Sequence, residues 1–157
     1  MEVLFYAPEY RPNLSNMIRT AEFYGFKKVS IFDKNNLLSP PNNKVSRSEM
    51  EHMARVWTAG AIEHIEIKTI ENITDYLRNY SGRKIATLVN AQATKLSEFT
   101  FQPNDLIIMG SEKEGLPIEV EDLCEQAVYI PQIGHTNCLN VSVTFGILLN
   151  KAISEIN

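Results

Sequence analysis

The stretch "GHTNCLNVSVTFGILL", residues 134–149, changes character halfway along its length. It begins with glycine, histidine, threonine and asparagine, which are typical of a loop, and it ends with the apolar residues of a buried helix. Asn140 and Ser142 stand at the boundary between the two halves. The pattern predicts a core helix whose first turn presents an amide and a hydroxyl, either to cap the helix or to serve a site.

The size and composition are those of an ordinary globular protein. The chain has 157 residues, of which 44% are hydrophobic and 22% are charged, so we predict one domain over residues 1–157. No apolar run reaches the roughly 20 residues that span a bilayer, and the first ten residues lack the features of a signal peptide. Cys124 and Cys138 have no metal-binding or disulfide-rich spacing, which predicts a cytoplasmic protein without a zinc site.

Short apolar segments alternate with amphipathic segments along the chain. Asn13 or Ser15 would cap the first helix and Gly25 would end it, and Ser48 with Glu51 has the spacing of a capping box for the second. The alternation predicts an α/β domain with a mainly parallel sheet and helices on both faces. Strands are predicted at 2–7, 27–33, 64–68, 84–90, 105–110 and 127–132, helices at 13–26, 46–57, 69–80, 117–126 and 139–156, and a loop at 34–43.

Three polar segments follow predicted strands. They are "EYRPNLSNMIRT" (9–20), "GSEKEGLP" (110–117) and "PQIGHTNCLN" (131–140). In parallel α/β sheets ligands bind beyond the carboxyl ends of the strands, so these segments would converge on one site. The second segment lacks both the glycine pattern of a dinucleotide site and the lysine of a phosphate loop. Taken alone, it is equally well interpreted as a turn before a proline-started helix.

The three segments, extended into their neighbouring elements, resemble the motifs of a known family. "NLSNMIRTAEFYGF" (13–26), "LIIMGSEKEGLP" (106–117) and "YIPQIGHTNCLNVSVTFGILL" (129–149) resemble, in order and spacing, those of the SpoU (TrmH-like) branch of the SPOUT RNA methyltransferases. The length resembles that of members consisting of the catalytic domain alone. The resemblance implies a SPOUT-type fold with a C-terminal trefoil knot, which periodicity does not reveal.

The same resemblance implies an activity and its partners. We expect S-adenosylmethionine (AdoMet) as the cofactor, a homodimer, and methylation of a ribose 2'-hydroxyl in RNA, with tRNA favoured over rRNA. Neither a metal ion nor a membrane is implied. Methyl transfer needs an in-line approach of the 2'-oxygen to the methyl group, so catalysis would rest mainly on positioning.

Five polar side chains receive roles from the resemblance. Arg19 matches the arginine to which the family assigns activation of the ribose hydroxyl. Because a guanidinium is a poor base at neutral pH, we expect Arg19 to orient the hydroxyl and stabilise the developing alkoxide. Asn16 lies on the same helix face and would hold Arg19 or contact RNA. Glu112 would orient the site by pairing with Arg19, and Asn140 and Ser142 would face it from the last helix.

The cofactor pocket implied by the resemblance is lined mostly by backbone. The matching positions in this chain are Leu88, Gly110, Ile130, Cys138 and Leu139. Cys138 stands where the family usually has serine, and a thiol packs similarly but is a weaker hydrogen-bond donor.

Plainer interpretations stay open. Arg19 would then pair with Glu22 or Glu9 on a helix surface, and Glu114 would be a solvated loop charge. The histidines are expected in loops or on the surface, and Trp57 and Tyr76 in packing. At the level of function, the alternative is a SPOUT-like module that binds AdoMet or RNA without turnover: the net charge of -4 slightly favours it, whereas Arg19, Glu112 and Asn140 together favour the enzyme. A flavodoxin-like binder is a weaker third possibility.

Overall fold

The computed structural model describes residues 1–39, 44–89 and 92–156. Seven strands and five helices alternate along these ranges, with single-turn 3-10 helices at Ala61–Glu63 and Leu96–Glu98. The strands are β1 (Glu2–Tyr6), β2 (Lys28–Phe32), β3 (Glu66–Thr69), β4 (Lys84–Thr87), β5 (Thr94–Lys95), β6 (Leu106–Met109) and β7 (Gln126–Tyr129). The helices are α1 (Arg11–Phe23), α2 (Lys44–Trp57), α3 (Ile73–Arg78), α4 (Ile118–Glu121) and α5 (Val141–Ile156).

The strands form one parallel sheet in the order β3-β2-β1-β6-β4-β7-β5. Because side chains alternate between the faces of a strand, Phe5 packs edge-on against Phe145 of α5, whereas Leu4 joins a second cluster with Leu77 of α3 and Val120 of α4. Helices therefore cover both faces, as the sequence predicted. The parallel α/β architecture is likewise confirmed.

The order of the strands determines where the site lies. The chain leaves β1 towards β2 and β3 on one side, and it later returns to the other side of β1 with β6. Parallel strands end at the same edge, so the segments after β1, β4, β6 and β7 meet there. A crevice at such a reversal of strand order is the usual place for a ligand in an open α/β sheet.

The first helix begins earlier than predicted. Tyr10 has an extended backbone and precedes α1 without a side-chain cap, and Pro12 stands in the first turn, where its fixed φ favours helix. The predicted caps at Asn13 and Ser15 are therefore wrong, since both residues lie inside α1 and Ser15 is buried. The predicted stop at Gly25 is confirmed by its φ of +87°, which glycine adopts without strain.

Other element boundaries also differ from the predictions. Helix α2 already begins at Lys44, so the capping box of Ser48 and Glu51 is wrong, because both lie inside the helix. Asn72 caps α3 instead, accepting a hydrogen bond of 3.1 Å from the backbone N–H of Asp75. The predicted loop is described only as far as residue 39, and its last four residues lie outside the described ranges. Within those ranges no helix is long and apolar enough to cross a membrane.

Candidate active site

The segments after β1, β4, β6 and β7 surround a cleft of about 600 Å³. Four of the five residues that the sequence assigned to a cofactor lie along this cleft, namely Leu88, Gly110, Cys138 and Leu139. Ile130, the fifth, packs half-buried against the hydrophobic core instead. Residues 131–140, which enter α5, are all exposed, and Cys138 is a free thiol among them.

Gly110 allows the loop after β6 to close on itself. A Cβ atom at this position would lie 2.5 Å from the carbonyl carbon of Gly115, which is closer than any side chain tolerates. Ser111 and Gly115 exchange two backbone hydrogen bonds of 3.0 and 3.1 Å, and Gly115 adopts a φ of +69°. The resulting turn presents the side chain of Glu112 towards the beginning of α1.

Glu112 binds the amino-terminal end of α1. Its carboxylate accepts hydrogen bonds from the backbone N–H groups of Glu9 (2.7 Å) and Tyr10 (3.2 Å) and from the side-chain amide of Asn13 (3.0 Å). A helix amino terminus offers unpaired N–H donors and positive potential, so a carboxylate is stabilised there. The expected pairing of Glu112 with Arg19 is not formed within the described part of the chain.

A second contact joins the same two segments with the roles exchanged: the acceptor now lies on the segment after β1 and the donors lie on the loop after β6. The carboxylate of Glu9 accepts a hydrogen bond of 3.2 Å from the backbone N–H of Lys113 and lies 3.0 Å from its ammonium group. The hydrogen bond from the Lys113 side chain lowers the pKa of Glu9, and the same bond raises the pKa of Lys113. The segment after β1 and the loop after β6 thus hold each other at two points.

Asn140 connects this pair of segments to α5. Its side-chain oxygen accepts hydrogen bonds from the backbone N–H (2.8 Å) and hydroxyl (2.7 Å) of Ser142, and its amide donates to the side-chain oxygen of Asn13 at 3.0 Å. A continuous chain of hydrogen bonds therefore runs from Ser142 through Asn140 and Asn13 to Glu112. Asn140 caps α5, which confirms the first interpretation of its position, and it also joins all three motif segments, whereas its role in a site stays a prediction.

Asn13 is the member of this network that the sequence analysis assigned wrongly. It was predicted to cap α1, yet its side chain bridges Glu112 and Asn140. The signal that could have found it is Pro12, because proline favours the first helical turn and thereby places the next residue inside the helix.

Arg19 and Asn16 lie on an exposed face of α1, outside this network. They line a separate cavity of about 480 Å³, which Ser142 also borders. Within the described ranges the side chain of Arg19 forms no hydrogen bond or ion pair, and Glu9 is already bound to Lys113. The plainer interpretation, in which Arg19 pairs with Glu22 or Glu9, is therefore wrong for this chain. The arginine side chain is available to a ligand.

The remaining candidates lie apart from the cleft or on its rim. Tyr76 is half-buried, its hydroxyl lies 3.2 Å from that of Ser30, and burial raises its pKa, so the packing role is confirmed. Trp57 is likewise half-buried, whereas Glu114 is exposed. The three histidines are exposed. No group of three or more metal-binding side chains occurs among the residues that the structure describes.

Replacing Glu112 by glutamine is expected to destabilise the fold by about 1–3 kcal/mol. The glutamine side chain is uncharged, and its NH2 group would face N–H donors of the α1 segment that need an acceptor. Glu114→Gln is the matched control, because that neighbouring carboxylate is exposed and should change the free energy of unfolding by less than about 0.5 kcal/mol. Urea unfolding of both variants measures the difference, and equal midpoints would contradict a structural role for Glu112.

The chain is similar in sequence to known RNA-modifying enzymes. The chain is 30% identical over 148 residues to the 23S rRNA (guanosine-2'-O-)-methyltransferase RlmB of Acinetobacter baylyi, a match that covers 91% of this chain and 55% of that protein. The chain spans about half the length of the curated relatives it matches.

Solved structures share its fold. The TrmH/SpoU tRNA modifying enzyme of A. aeolicus superposes with a TM-score of 0.83 at 20% identity, covering 98% of this chain and 74% of that one. The AdoMet-bound rRNA methyltransferase of Sinorhizobium meliloti does so with a TM-score of 0.78 at 22% identity, covering 99% and 56%. The model of the SpoU rRNA Methylase family matches residues 1–150. The chain, with its three motif segments joined around one cleft, therefore belongs to the SpoU rRNA methylase family.

Proposed function

We propose that this chain is an AdoMet-dependent RNA methyltransferase that modifies a ribose 2'-hydroxyl, with residues 1–157 forming one methyltransferase domain. The observation that carries the proposal is the hydrogen-bond chain through Asn13, which joins the three motif segments at the cleft and leaves Arg19 unpaired nearby. The relative in Acinetobacter baylyi is named as a guanosine-2'-O-methyltransferase, which supports the same reaction here.

The cleft suits a cofactor of the size of AdoMet. Its volume of about 600 Å³ falls within the range of small-molecule sites, roughly 300–1,000 Å³. Leu88 and Leu139 offer apolar surface, and Gly110, which has no side chain, also lines the cleft. The related enzyme of Sinorhizobium meliloti was crystallised with AdoMet bound, which supports this assignment. When bound, AdoMet supplies the methyl group on a sulfonium.

The protein's own contribution is positioning and charge. Arg19 would orient the ribose 2'-hydroxyl and stabilise the negative charge that develops on its oxygen as the hydroxyl proton passes to solvent water. Asn13 is hydrogen-bonded to both Glu112 and Asn140, so these three residues act as positioning residues that hold α1 and α5 against the cleft. Asn16, one turn before Arg19, is left to contact RNA.

A homodimer forms part of the proposal. Glu112 and four of the five cofactor positions line one cavity, whereas Arg19 and Asn16 line another, so a partner chain would bring the two sets together. Apolar side chains are exposed on the two helices, with Phe23 79% and Val143 48% accessible. These residues support a two-fold symmetric interface built on α1 and α5.

The RNA substrate, the knot and the cellular location also form part of the proposal. We infer that tRNA is the first candidate substrate and rRNA the second, and the names of related proteins include both. We infer a trefoil knot in the C-terminal third, and membership of the family supports it. The cytoplasmic location rests on the two unpaired cysteines.

The proposed function predicts transfer of tritiated methyl groups from AdoMet to bulk hypomethylated RNA. We expect counts in tRNA above those in rRNA, located at ribose 2'-oxygens after nuclease digestion, and the same rate with and without EDTA. Abolition of transfer by EDTA would contradict a metal-free site. Tight AdoMet binding by calorimetry without transfer to either RNA would support the regulatory module instead, and binding of FMN in place of AdoMet would support a flavodoxin-like protein.

A further inference from the structure

Tyr10 holds an exposed aromatic ring at the mouth of the cleft. Among the phenylalanine, tyrosine and tryptophan residues of the described ranges, only Tyr10 and Phe23 are exposed, and Phe23 lies at the far end of α1, on the proposed dimer face. Tyr10 is 47% accessible and lines the cleft together with Glu112, Asn13 and Asn140. An exposed ring beside a polar network is unusual for a residue with only a packing role, because packing would bury it.

The position of the ring is determined by its neighbours. The backbone N–H of Tyr10 donates to the carboxylate of Glu112, and its extended backbone directs the chain into α1. The ammonium group of Lys113 lies 5.6 Å from the centre of the ring, and the ion pair with Glu9 holds that lysine in place. The ring is thus preorganised although it is exposed.

A ring and a cation in this arrangement match the chemistry of one nucleotide. Proteins that select a single-stranded or looped-out nucleotide stack its base on an aromatic side chain, and they contact its phosphates with lysine or arginine. The Lys113 side chain is 66% exposed, so its charge remains accessible beside the ring. The net charge of -4 makes such a local contact necessary, because the whole chain does not attract polyanions.

We propose that Tyr10 is the platform on which the base of the methylated nucleotide stacks, with Lys113 contacting an adjacent phosphate. This inference rests on the proposed function, and it adds the residue that presents the target nucleotide to the site. Stacking accepts any base, so Tyr10 would contribute affinity and orientation rather than the identity of the base. Because the base is attached to the ribose, a stacked base restricts where the 2'-oxygen can lie relative to Glu112 and Arg19.

The test compares two replacements of the ring in the methyl-transfer assay. Tyr10→Leu removes the ring but keeps an apolar side chain, and Tyr10→Phe keeps the ring. For hypomethylated tRNA we expect Tyr10→Leu to raise KM by about 5–150-fold, the range that corresponds to the loss of one stacked base. Most of the fall in kcat/KM should come from KM rather than from kcat, and Tyr10→Phe should keep a KM close to that of the wild type. AdoMet affinity and sedimentation should not change in either variant.

A spectroscopic signature tests the stacking directly. The chain has a single tryptophan, Trp57, so Tyr10→Trp in a Trp57→Phe background places the only indole at the proposed platform. Its fluorescence should be quenched by hypomethylated tRNA and not by AdoMet alone. This measurement does not depend on turnover, so it tests the stacking platform even if the wild type transfers no methyl group. Absence of methyl transfer by the wild type would refute the proposed function without deciding whether Tyr10 stacks on a base.

Three outcomes would overturn the inference. One is an active wild type with an unchanged KM for tRNA in Tyr10→Leu. Another is a loss of AdoMet affinity in Tyr10→Leu, which would assign the ring to the cofactor. The third is dissociation of the dimer in Tyr10→Leu, which would assign the ring to the subunit interface.

Discussion

Replacing Arg19 by alanine is expected to lower the rate of methyl transfer by roughly 10²–10³-fold, the usual loss for one preorganised electrostatic group. Arg19 is exposed, forms no ion pair within the described ranges and borders a cavity next to the cleft, so its removal leaves no buried partner behind. The fold and the affinity for AdoMet should therefore stay nearly unchanged. The loss should appear in single-turnover rates at saturating RNA, measured by tritiated-methyl transfer beside the wild type.

Two further variants show whether the geometry of the guanidinium matters. Arg19→Lys should not restore the rate, because an ammonium group is a point charge and does not reproduce the planar fork of arginine. Glu22→Gln is the matched control, since Glu22 lies on the same helix and borders the same cavity without a predicted role in transfer. Equal rates for Arg19→Ala and the wild type would remove Arg19 from the mechanism.

The division of the site between two cavities permits a sharper experiment. Suppose that each active site combines Arg19 of one subunit with Glu112 of its partner, as the proposed dimer requires. Mixing Arg19→Ala protein with Glu112→Ala protein should then give more activity than either variant alone, because one of the two sites in a mixed dimer contains both residues. No recovery after subunit exchange, confirmed by sedimentation, would show that both residues act within one chain.

Removing the carboxylate of Asp105 is expected to cost about 3–5 kcal/mol of unfolding free energy, the usual effect of breaking a buried ion pair. Asp105 is fully buried directly before β6 and accepts hydrogen bonds of 2.8 and 2.7 Å from Arg83 and 2.8 Å from the backbone N–H of Gln102. The bond with Asp105 raises the pKa of Arg83. In Asp105→Ala the half-buried guanidinium of Arg83 loses its counter-charge, and that loss accounts for most of the fall in unfolding free energy.

The exposed pair of Lys95 and Glu98 provides the control for this experiment. Their charged groups lie 3.6 Å apart, and both side chains are more than half accessible. Glu98→Ala should therefore change the unfolding free energy by less than about 1 kcal/mol. Urea unfolding with identical analysis of both variants measures the difference, and a shift below 1 kcal/mol for Asp105→Ala would contradict the account of the buried pair.

The hydrophobic pattern along the chain predicted the architecture well, because the type and the buried face of a strand or helix depend mainly on residues close together in sequence. The predicted strand at 105–110 is observed as β6, whose apolar run is typical of a strand buried on both faces, and all four of its residues are buried. The alternation of strands and helices predicted a parallel sheet covered on both sides, which the structure confirms. β5 was missed, because a strand of two residues is too short to produce a pattern.

Helix boundaries were predicted less well, for a related reason. Lys44 and Arg11 begin helices ahead of the residues that have good capping side chains. A capping residue stabilises a helix end by only about 1 kcal/mol, so tertiary contacts and a proline in the first turn override it. The end of α1 at Gly25 was predictable because a positive φ strongly favours glycine.

The sequence by itself determined the parallel α/β sheet, the position of the three polar segments after their strands, and the family to which the chain belongs. Only the tertiary structure decided that Glu112 binds the beginning of α1, that Asn13 joins Glu112 to Asn140, and that Arg19 lies in a different cavity. The physical reason is distance along the chain. The side chains of Asn13 and Glu112 are 99 positions apart, and those of Asn13 and Asn140 are 127 apart. A hydrogen bond forms between whichever donors and acceptors the folded sheet brings within 3 Å or so, and no local pattern records that encounter.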